Sequence, residues 1–378
     1  MHVMYVAPRF HTNQSDIVKG WIEQGDQVTF VTYYKAPIED YTDIQPIVLG
    51  FSPLYYVVDW VYMNIIKKND PANTAFKINH GFPPLLKVGR ILKKKKPDLV
   101  IMRDRTLYSM VVYVFCKLYR YPTVLYNQSP LWDDPPKKDI MHRLVYKLTP
   151  KIRITPVMGF QESGKLVSED SYFVPFVQQA RIKPEKKQYF INGNIEVLMV
   201  GKFEPRKNHL MLIQVVHELQ TKYPGLHLTI IGEATGRLQK KFLQVVENYV
   251  LDNRLDREVS IYTNVPRDKM NEFYEQSDVF VIPSTKEMAS ISQLEAMSFS
   301  LPVIISDKNG AVQYVEDEVN GYWFRDSDKE SLYEKMDNLL ASREKIMQMG
   351  KESYRLIVEK YQFKNYYQEL MKACKTEE

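Results

Sequence analysis

Cysteine is nearly absent: Cys116 and Cys374 are the only two in 378 residues. Two thiols so far apart make neither a disulfide framework nor a metal-ligand spacing. Long apolar runs are missing as well. No stretch reaches the ~18 uncharged apolar residues that a membrane-crossing helix requires. The start, residues 1–10, lacks a basic region, a long apolar segment and a small-residue cleavage site. It reads as a buried strand rather than a secretion signal, and the expected location is cytoplasmic. No internal repeat or low-complexity tract interrupts the chain.

What is present suits a large folded protein. The composition is 44% hydrophobic, and a chain of this length divides into two domains by default. The net charge of +5 is unevenly placed. Residues 1–180 hold 23 Lys/Arg against 16 Asp/Glu, and residues 181–378 hold 28 against 30. A basic first half suits an anionic partner such as a lipid phosphate or a membrane surface, or it is a solvated surface. Nucleic acid is not expected, because basic and aromatic residues do not interleave in a recognised motif.

Apolar runs and helical patterns alternate along the chain. Strands are expected at 3–7, 27–32, 98–102 and 123–126, with helices at 17–24 and 108–119. A polar stretch at 176–194 reads as a linker. A second series follows, with strands at 196–200, 227–232, 259–262, 278–282 and 302–306. Helices are expected between them, including 208–222 and 292–298, and a helical tail covers 329–372. This is an α/β pattern of two Rossmann-like domains. The boundaries read as 1–178, 190–350 and a tail over 351–378. Ligands of such sheets bind at the carboxyl ends of the strands, here in a deep cleft between two halves.

Two clusters of chemistry lie in the second half. In Glu287-Met288-Ala289-Ser290-Ile291-Ser292-Gln293-Leu294-Glu295, two carboxylates stand eight apart. If Ser290 or Ser292 caps the helix, Glu287 lies in the preceding loop and Glu295 within the helix. Carboxylates accept paired hydrogen bonds from vicinal hydroxyls. Backbone amides of Ala289, Ser290 and Ile291 are placed to receive phosphate oxygens. The alternative is a surface helix with two ordinary acids. The second cluster, Gly201-Lys202-Phe203-Glu204-Pro205-Arg206-Lys207-Asn208, follows a strand and opens a helix. It delivers cations to the same sheet edge, where they would stabilise a leaving diphosphate. Arg206 reads equally as a surface residue, and Asn208 as a helix cap. The one D-x-D tripeptide, Asp326-Ser327-Asp328, reads as a turn and a cap, so no metal is expected.

These segments resemble glycosyltransferase family 4, of the GT-B fold. The resemblance rests on Pro283-Ser284, Glu287, Glu295-Ala296-Met297, Leu301-Pro302-Val303 and Asn320-Gly321. Ser300 stands where the family has glycine. The resemblance implies a retaining transfer of sugar from a nucleotide diphosphate, a UDP-sugar being favoured, without a bound metal. It gives Glu287 to a donor-sugar hydroxyl and Glu295 to the ribose. Residues Met288 to Ile291 would touch sugar and phosphate. Lys202 and Lys207 take the diphosphate-binding arginine and lysine places, Lys202 lacking the guanidinium fork. Gly232 would lie near the nucleotide, and the Val265 backbone near the base.

On the acceptor side, the family's glycine-rich first loop is replaced by a glycine-free segment. Arg9, His11, Thr12 and Asn13 offer side-chain donors there, or satisfy their own backbone. Asn127 occupies the place of a family histidine and cannot act as a base near neutral pH. Arg103 and Arg105 are candidates for an anionic acceptor, and Asp133 and Asp134 for acceptor sugar. The expected acceptor is a glycan or lipid-linked saccharide of cell-surface polysaccharide assembly. Lys93–Lys96 suits a helix end or an anionic membrane, giving a peripheral membrane protein. Phe51–Tyr62 reads as a core helix first and as membrane contact second. A sugar-nucleotide hydrolase or epimerase of the same fold, and a non-catalytic nucleotide-sugar-binding protein, are the competing readings.

Overall fold

The computed structural model describes all residues except 12–13, 36–40, 67–72, 134–148, 160–164, 167–169 and 376–378. Thr12, Asn13 and Asp134 therefore lie outside the described residues. The chain forms two compact units. Unit 1 comprises 1–156, 160–177 and 363–378, and unit 2 comprises 157–159 and 178–362.

Unit 1 is built on a parallel sheet. Its strands are β1 (His2–Ala7), β2 (Gln27–Thr32), β3 (Ile47–Val48), β4 (Leu99–Arg103), β5 (Thr123–Tyr126), β6 (Arg153–Thr155) and β7 (Ser171–Phe173). They lie in the order β3-β2-β1-β4-β5-β6-β7. Helices α1 (Ser15–Glu23), α2 (Pro53–Val61), α3 (Asn73–His80), α4 (Leu85–Lys95) and α5 (Leu107–Tyr119) accompany it. Strand alternation sorts β1 between two cores. Val3, Tyr5 and Ala7 pack with Trp21 and Phe30, while Met4 and Val6 pack with Leu92 and Val112. The C-terminal helix, Phe363–Lys375, covers α1 within this unit. Its Tyr366 hydroxyl meets the Tyr5 hydroxyl at 3.1 Å, and Trp21 Nε1 donates to Tyr5 at 2.8 Å. A Cβ on Gly20 would overlap the Phe363 ring, so the glycine lets the two helices approach.

Unit 2 repeats the design. Its strands are β8 (Ile195–Val200), β9 (Leu226–Gly232), β10 (Val259–Thr263), β11 (Val279–Ile282), β12 (Val303–Ser306) and β13 (Gly321–Phe324). They run parallel in the order β10-β9-β8-β11-β12-β13. The helices are α6 (His209–Gln220), α7 (Arg237–Asp252), α8 (Met270–Gln276), α9 (Ser292–Ser298), α10 (Lys329–Leu340) and α11 (Arg343–Lys360). Strand order reverses between β8 and β11, which puts a topological switch point at the carboxyl ends of those two strands. The short β-branched runs Val279–Ile282 and Val303–Ser306 are buried throughout, as central parallel strands require.

Several expectations need correction. Residues 178–194 are no free linker but pack on unit 2. Lys187 is buried and donates to the carbonyls of Tyr274 and Glu275 at 3.2 and 2.5 Å. Burial pulls its ammonium down to about 8. Residues 351–362, expected in the tail, belong to unit 2. Short strands β3, β6, β7 and β13 were not anticipated, nor was the antiparallel pair Trp132–Asp133 and Lys165–Leu166. Helix α2 is no core helix, for only Tyr55 of its nine residues is buried.

Ser300 adopts a left-handed φ of 60°, where glycine is favoured, just past the end of α9. Its hydroxyl donates to the Ile182 carbonyl at 2.8 Å, which offsets the cost of roughly 1 kcal/mol. The Asn-Gly pair is likewise structural. Asn320 accepts from the Glu316 amide at 2.7 Å, and a Cβ on Gly321 would sit 1.8 Å from the Val303 carbonyl.

Candidate active site

The loops after β8 and β11 flank the switch point and interlock. The Thr285 amide donates to the Arg206 carbonyl at 2.8 Å, and Asn208 Nδ2 donates to the Pro283 carbonyl at 2.8 Å. Asn208 therefore does not cap α6 with its side chain; it joins the two loops instead. A short 3-10 turn, Pro205–Lys207, sends Arg206 and Lys207 toward the β11 loop.

Both cations reach Glu287. Arg206 Nη1 donates to Glu287 Oε2 at 2.7 Å, and Lys207 Nζ donates to the same oxygen. Lys207 and Glu287 are nearly enclosed, with side chains 9% and 12% exposed. Burial works against the Glu287 charge, but the Lys207 ammonium and the Arg206 guanidinium outweigh it and hold the carboxyl below its usual value. Arg206 Nε also donates to Glu204 Oε2 at 2.8 Å, so the cluster sets two cations against two carboxylates.

The β11 loop is clamped from a third strand. Asp326 accepts from Thr285 Oγ1 and Ser306 Oγ, both at 2.8 Å. Asp328 caps α10 through the Ser331 amide at 2.9 Å. The D-x-D tripeptide thus brace and cap the fold. Among the described residues no group of three or more His, Cys, Asp or Glu side chains is arranged to hold a metal ion. Gly310 packs on the same loop, its amide donating to the Glu287 carbonyl at 2.8 Å. A Cβ there would fall 2.0 Å from the Met288 carbonyl oxygen.

The segment Met288–Ile291 leads into α9. Neither Ser290 nor Ser292 caps that helix: the cap position is Ile291, and Ser290 donates to the Gln293 side chain. Among the described residues, the amides of Ala289, Ser290 and Ile291 donate to no group of the chain. Met288 is exposed, and Ala289 and Ile291 are half-buried. These donors stand two to four residues beyond Glu287.

Glu295 occupies the first turn of α9 and is buried. Oε1 accepts from Arg267 Nη1 at 2.5 Å, and Oε2 accepts from the Tyr274 hydroxyl at 2.8 Å. Arg267 follows the loop that holds Val265. That loop is tied to the β9 end, since the Asn264 amide donates to the Gly232 carbonyl and Asn264 Oδ1 accepts from the Ala234 amide. Gly232 itself is required by packing: a Cβ would sit 2.4 Å from the Gly201 carbonyl oxygen.

Lys202 stands apart from Glu287. Its ammonium pairs with Glu233 at 3.2 Å, and both side chains are well solvated. The second cation on the glutamate is Arg206, which sequence reasoning left open between site and surface. Arg267 and Tyr274 were missed outright. Neither carries a spacing signal, because each acts on Glu295, which belongs to a different element. Asp326, read from sequence as part of a turn and cap, proves to brace the β11 loop.

In unit 1, the loops after β1, β4 and β5 share the carboxyl edge. Arg9 Nε contacts His11 Nε2 at 3.1 Å. The Arg103 guanidinium lies 5.7 Å from the centre of the Tyr126 ring. Asn127 is a structural residue here: it donates to Asp104 Oδ2 at 3.3 Å and accepts from the Ser129 amide at 2.9 Å. Asp104 also faces buried Arg153 at 3.7 Å.

Comparison with known proteins gives these features a family context. The model of the family "Glycosyl transferases group 1" matches residues 181–356. An uncharacterised glycosyltransferase of Methanocaldococcus jannaschii is 24% identical over 67% of this chain and 66% of its own length. The lipopolysaccharide 1,2-N-acetylglucosaminetransferase of Salmonella typhimurium is 26% identical over 47% of this chain and 48% of its own length. The chain thus spans about half to just under two thirds of the length of these curated relatives. Anabaena HepE, solved in complex with UDP, superposes with a TM-score of 0.70 at 13% identity, all of both chains being covered. By fold, the chain is a GT-B-type protein of two Rossmann-like units, and its second unit carries the match to the glycosyl transferases group 1 family.

Proposed function

We propose that the chain is a retaining glycosyltransferase of family 4 type, moving a sugar from a nucleotide diphosphate to a glycan or lipid-linked acceptor. A UDP-sugar is the favoured donor, and cell-surface polysaccharide assembly the favoured setting. The lipopolysaccharide transferase and the UDP complex of HepE, named above, support the acceptor class and the base.

One observation carries the reading: Lys207 and Arg206 converge on Glu287 at the switch point, beside the undonated amides of residues 289–291. Cleavage of the anomeric C–O bond puts negative charge on the departing diphosphate. Lys207, Arg206 and the amides supply fixed positive ends for it. Glu287 can only accept hydrogen bonds, so it takes a donor-sugar hydroxyl. Glu295, oriented by Tyr274, takes the ribose hydroxyls once Arg267 turns aside or shares the carboxylate.

The acceptor oxygen forms the new bond to the anomeric carbon on the face the diphosphate leaves. Its proton passes to the departing phosphate oxygen. No base is asked of Asn127, whose amide is committed to Asp104 and Ser129.

A thermal-shift screen against uridine, guanosine and adenosine diphosphates tests the donor site. UDP should raise the melting temperature, and Glu295→Ala should abolish the shift. Stabilisation by no nucleotide would remove the reading. Proton NMR of the transferred product should then show the donor's anomeric configuration; inversion would refute retention.

A further inference from the structure

Among the described residues of unit 1, the helical stretch 53–66, formed by α2 and a π-helical continuation, Tyr62–Ile66, leaves many apolar side chains exposed. Its sequence, PLYYVVDWVYMNII, holds one acid and no cation. A segment this apolar ordinarily packs inside. Here Trp60 is 61% exposed and Ile65 66% exposed, with Leu54, Tyr56 and Val57 also on the surface.

A second helix extends the patch. The Ser52 amide donates to the Phe82 carbonyl at 2.9 Å, and Phe51, Tyr55 and Phe82 form a ring cluster. These contacts bring the start of α2 next to the start of α4, where Leu86 is 85% exposed and Leu85 is also exposed. Scattered exposed leucines need no explanation, but a contiguous aromatic and aliphatic patch marks an interaction surface.

Charge decides what it meets. Residues 85–97 carry six cations and no acid. On α4, Lys87, Arg90, Lys93 and Lys94 are exposed while Val88 and Leu92 are buried, so the cations form a stripe along the outer face. Helix α5 packs on α4, and residues 107–130 add Lys117 and Arg120, again with no acid. An apolar patch continuous with a basic stripe is the pattern of a surface that rests on anionic lipid: side chains enter the acyl boundary and cations meet the headgroups. Tyr56 and Trp60 suit the interface, each with an apolar ring and one polar group.

Topology gives the surface a purpose. Because β3 runs parallel to its neighbours, the chain leaves it at the carboxyl edge of the sheet and enters α2 there. Helix α4 leads into β4 and so begins at that same edge. The exposed patch therefore borders the edge that carries Arg9, His11 and Arg103.

We propose that unit 1 docks on an anionic lipid bilayer through the α2–α4 face, with Leu54, Tyr56, Val57, Trp60, Leu85 and Leu86 entering the interface. The docking is a binding property independent of the transferase reading, and it is tested without turnover.

The test is co-sedimentation of the full chain with two vesicle types. One is phosphatidylcholine alone; the other is phosphatidylcholine with phosphatidylglycerol in roughly a 2:1 ratio. The protein should sediment with the anionic vesicles and remain in the supernatant with the neutral ones. A W60S/L86E variant should lose at least about tenfold in partitioning, since both changes remove apolar insertion. A K87Q/R90Q/K93Q/K94Q variant should lose binding comparably and show little response to added salt. Both changes are at exposed positions, so circular dichroism melting should match the parent chain. Failure of the parent chain to bind anionic vesicles overturns the proposal. So does equal binding by the correctly melting W60S/L86E chain, and so does equal binding to both vesicle types.

Discussion

Lys207 and Glu287 lie 80 residues apart in sequence yet share a hydrogen bond, with both side chains almost wholly enclosed. They sit in the segments that follow β8 and β11, the two strands at which the sheet of unit 2 reverses its order. An enclosed carboxylate is tolerated only with partners, and here the partners are the groups a diphosphate needs. A diphosphate at this site would compete with Glu287 for the same cations.

Removing Lys207 should cost turnover more than stability. Lys207→Ala leaves Glu287 with Arg206, so the fold survives. The loss of one fixed cation from the leaving group should lower kcat by about 10²–10³. Steady-state kinetics with a UDP-sugar checks this, and an unchanged kcat would exclude Lys207 from the chemistry.

Arg206 and Lys202 should separate. Arg206 contacts Glu287 directly, whereas Lys202 pairs with solvated Glu233. Arg206→Ala should therefore lower kcat/KM about tenfold more than Lys202→Ala. The same kinetic assay, run on both variants side by side, decides between them.

Tyr274 should act on donor affinity alone. Its ring stacks on Phe299 at 5.3 Å, and Tyr274→Phe keeps that packing while deleting the hydroxyl on Glu295. Loss of one hydrogen bond to a charged group, about 1.5 kcal/mol, should weaken UDP roughly tenfold with kcat nearly unchanged. A fall in kcat at saturating donor would contradict a purely orienting role.

The acid limb of stability should report Glu287. Its folded pKa lies below the unfolded value, so between the two the unfolded chain binds more protons and stability rises with pH. The contribution is present above the ordinary carboxylate range and is lost as pH falls through the depressed folded value. Urea unfolding of Glu287→Gln should show a weaker loss over that acid window than the parent chain.

The sequence was most legible where local pattern and burial agree. Runs such as Val279–Ile282 announce buried parallel strands, and the Glu287–Glu295 spacing drew attention to the candidate site at their carboxyl ends. Strands of two or three residues, such as Ile47–Val48, are too short for any period to show. Helix α2 misled for the opposite reason: apolar composition predicts burial, but composition cannot say that only Tyr55 of the nine residues is buried. Partners supplied from afar were equally silent. Arg267 and Tyr274 become visible only when the fold brings them to Glu295, as does the exchange of Lys202 for Arg206 beside Glu287.

Calorimetric titration of UDP into the parent chain and into an R206A/K207A variant tests the cluster most directly. The account predicts saturable binding by the parent chain and at least a ~100-fold weaker affinity in the variant. Equal affinities would contradict it, because the diphosphate would then sit elsewhere than on the cations that hold Glu287.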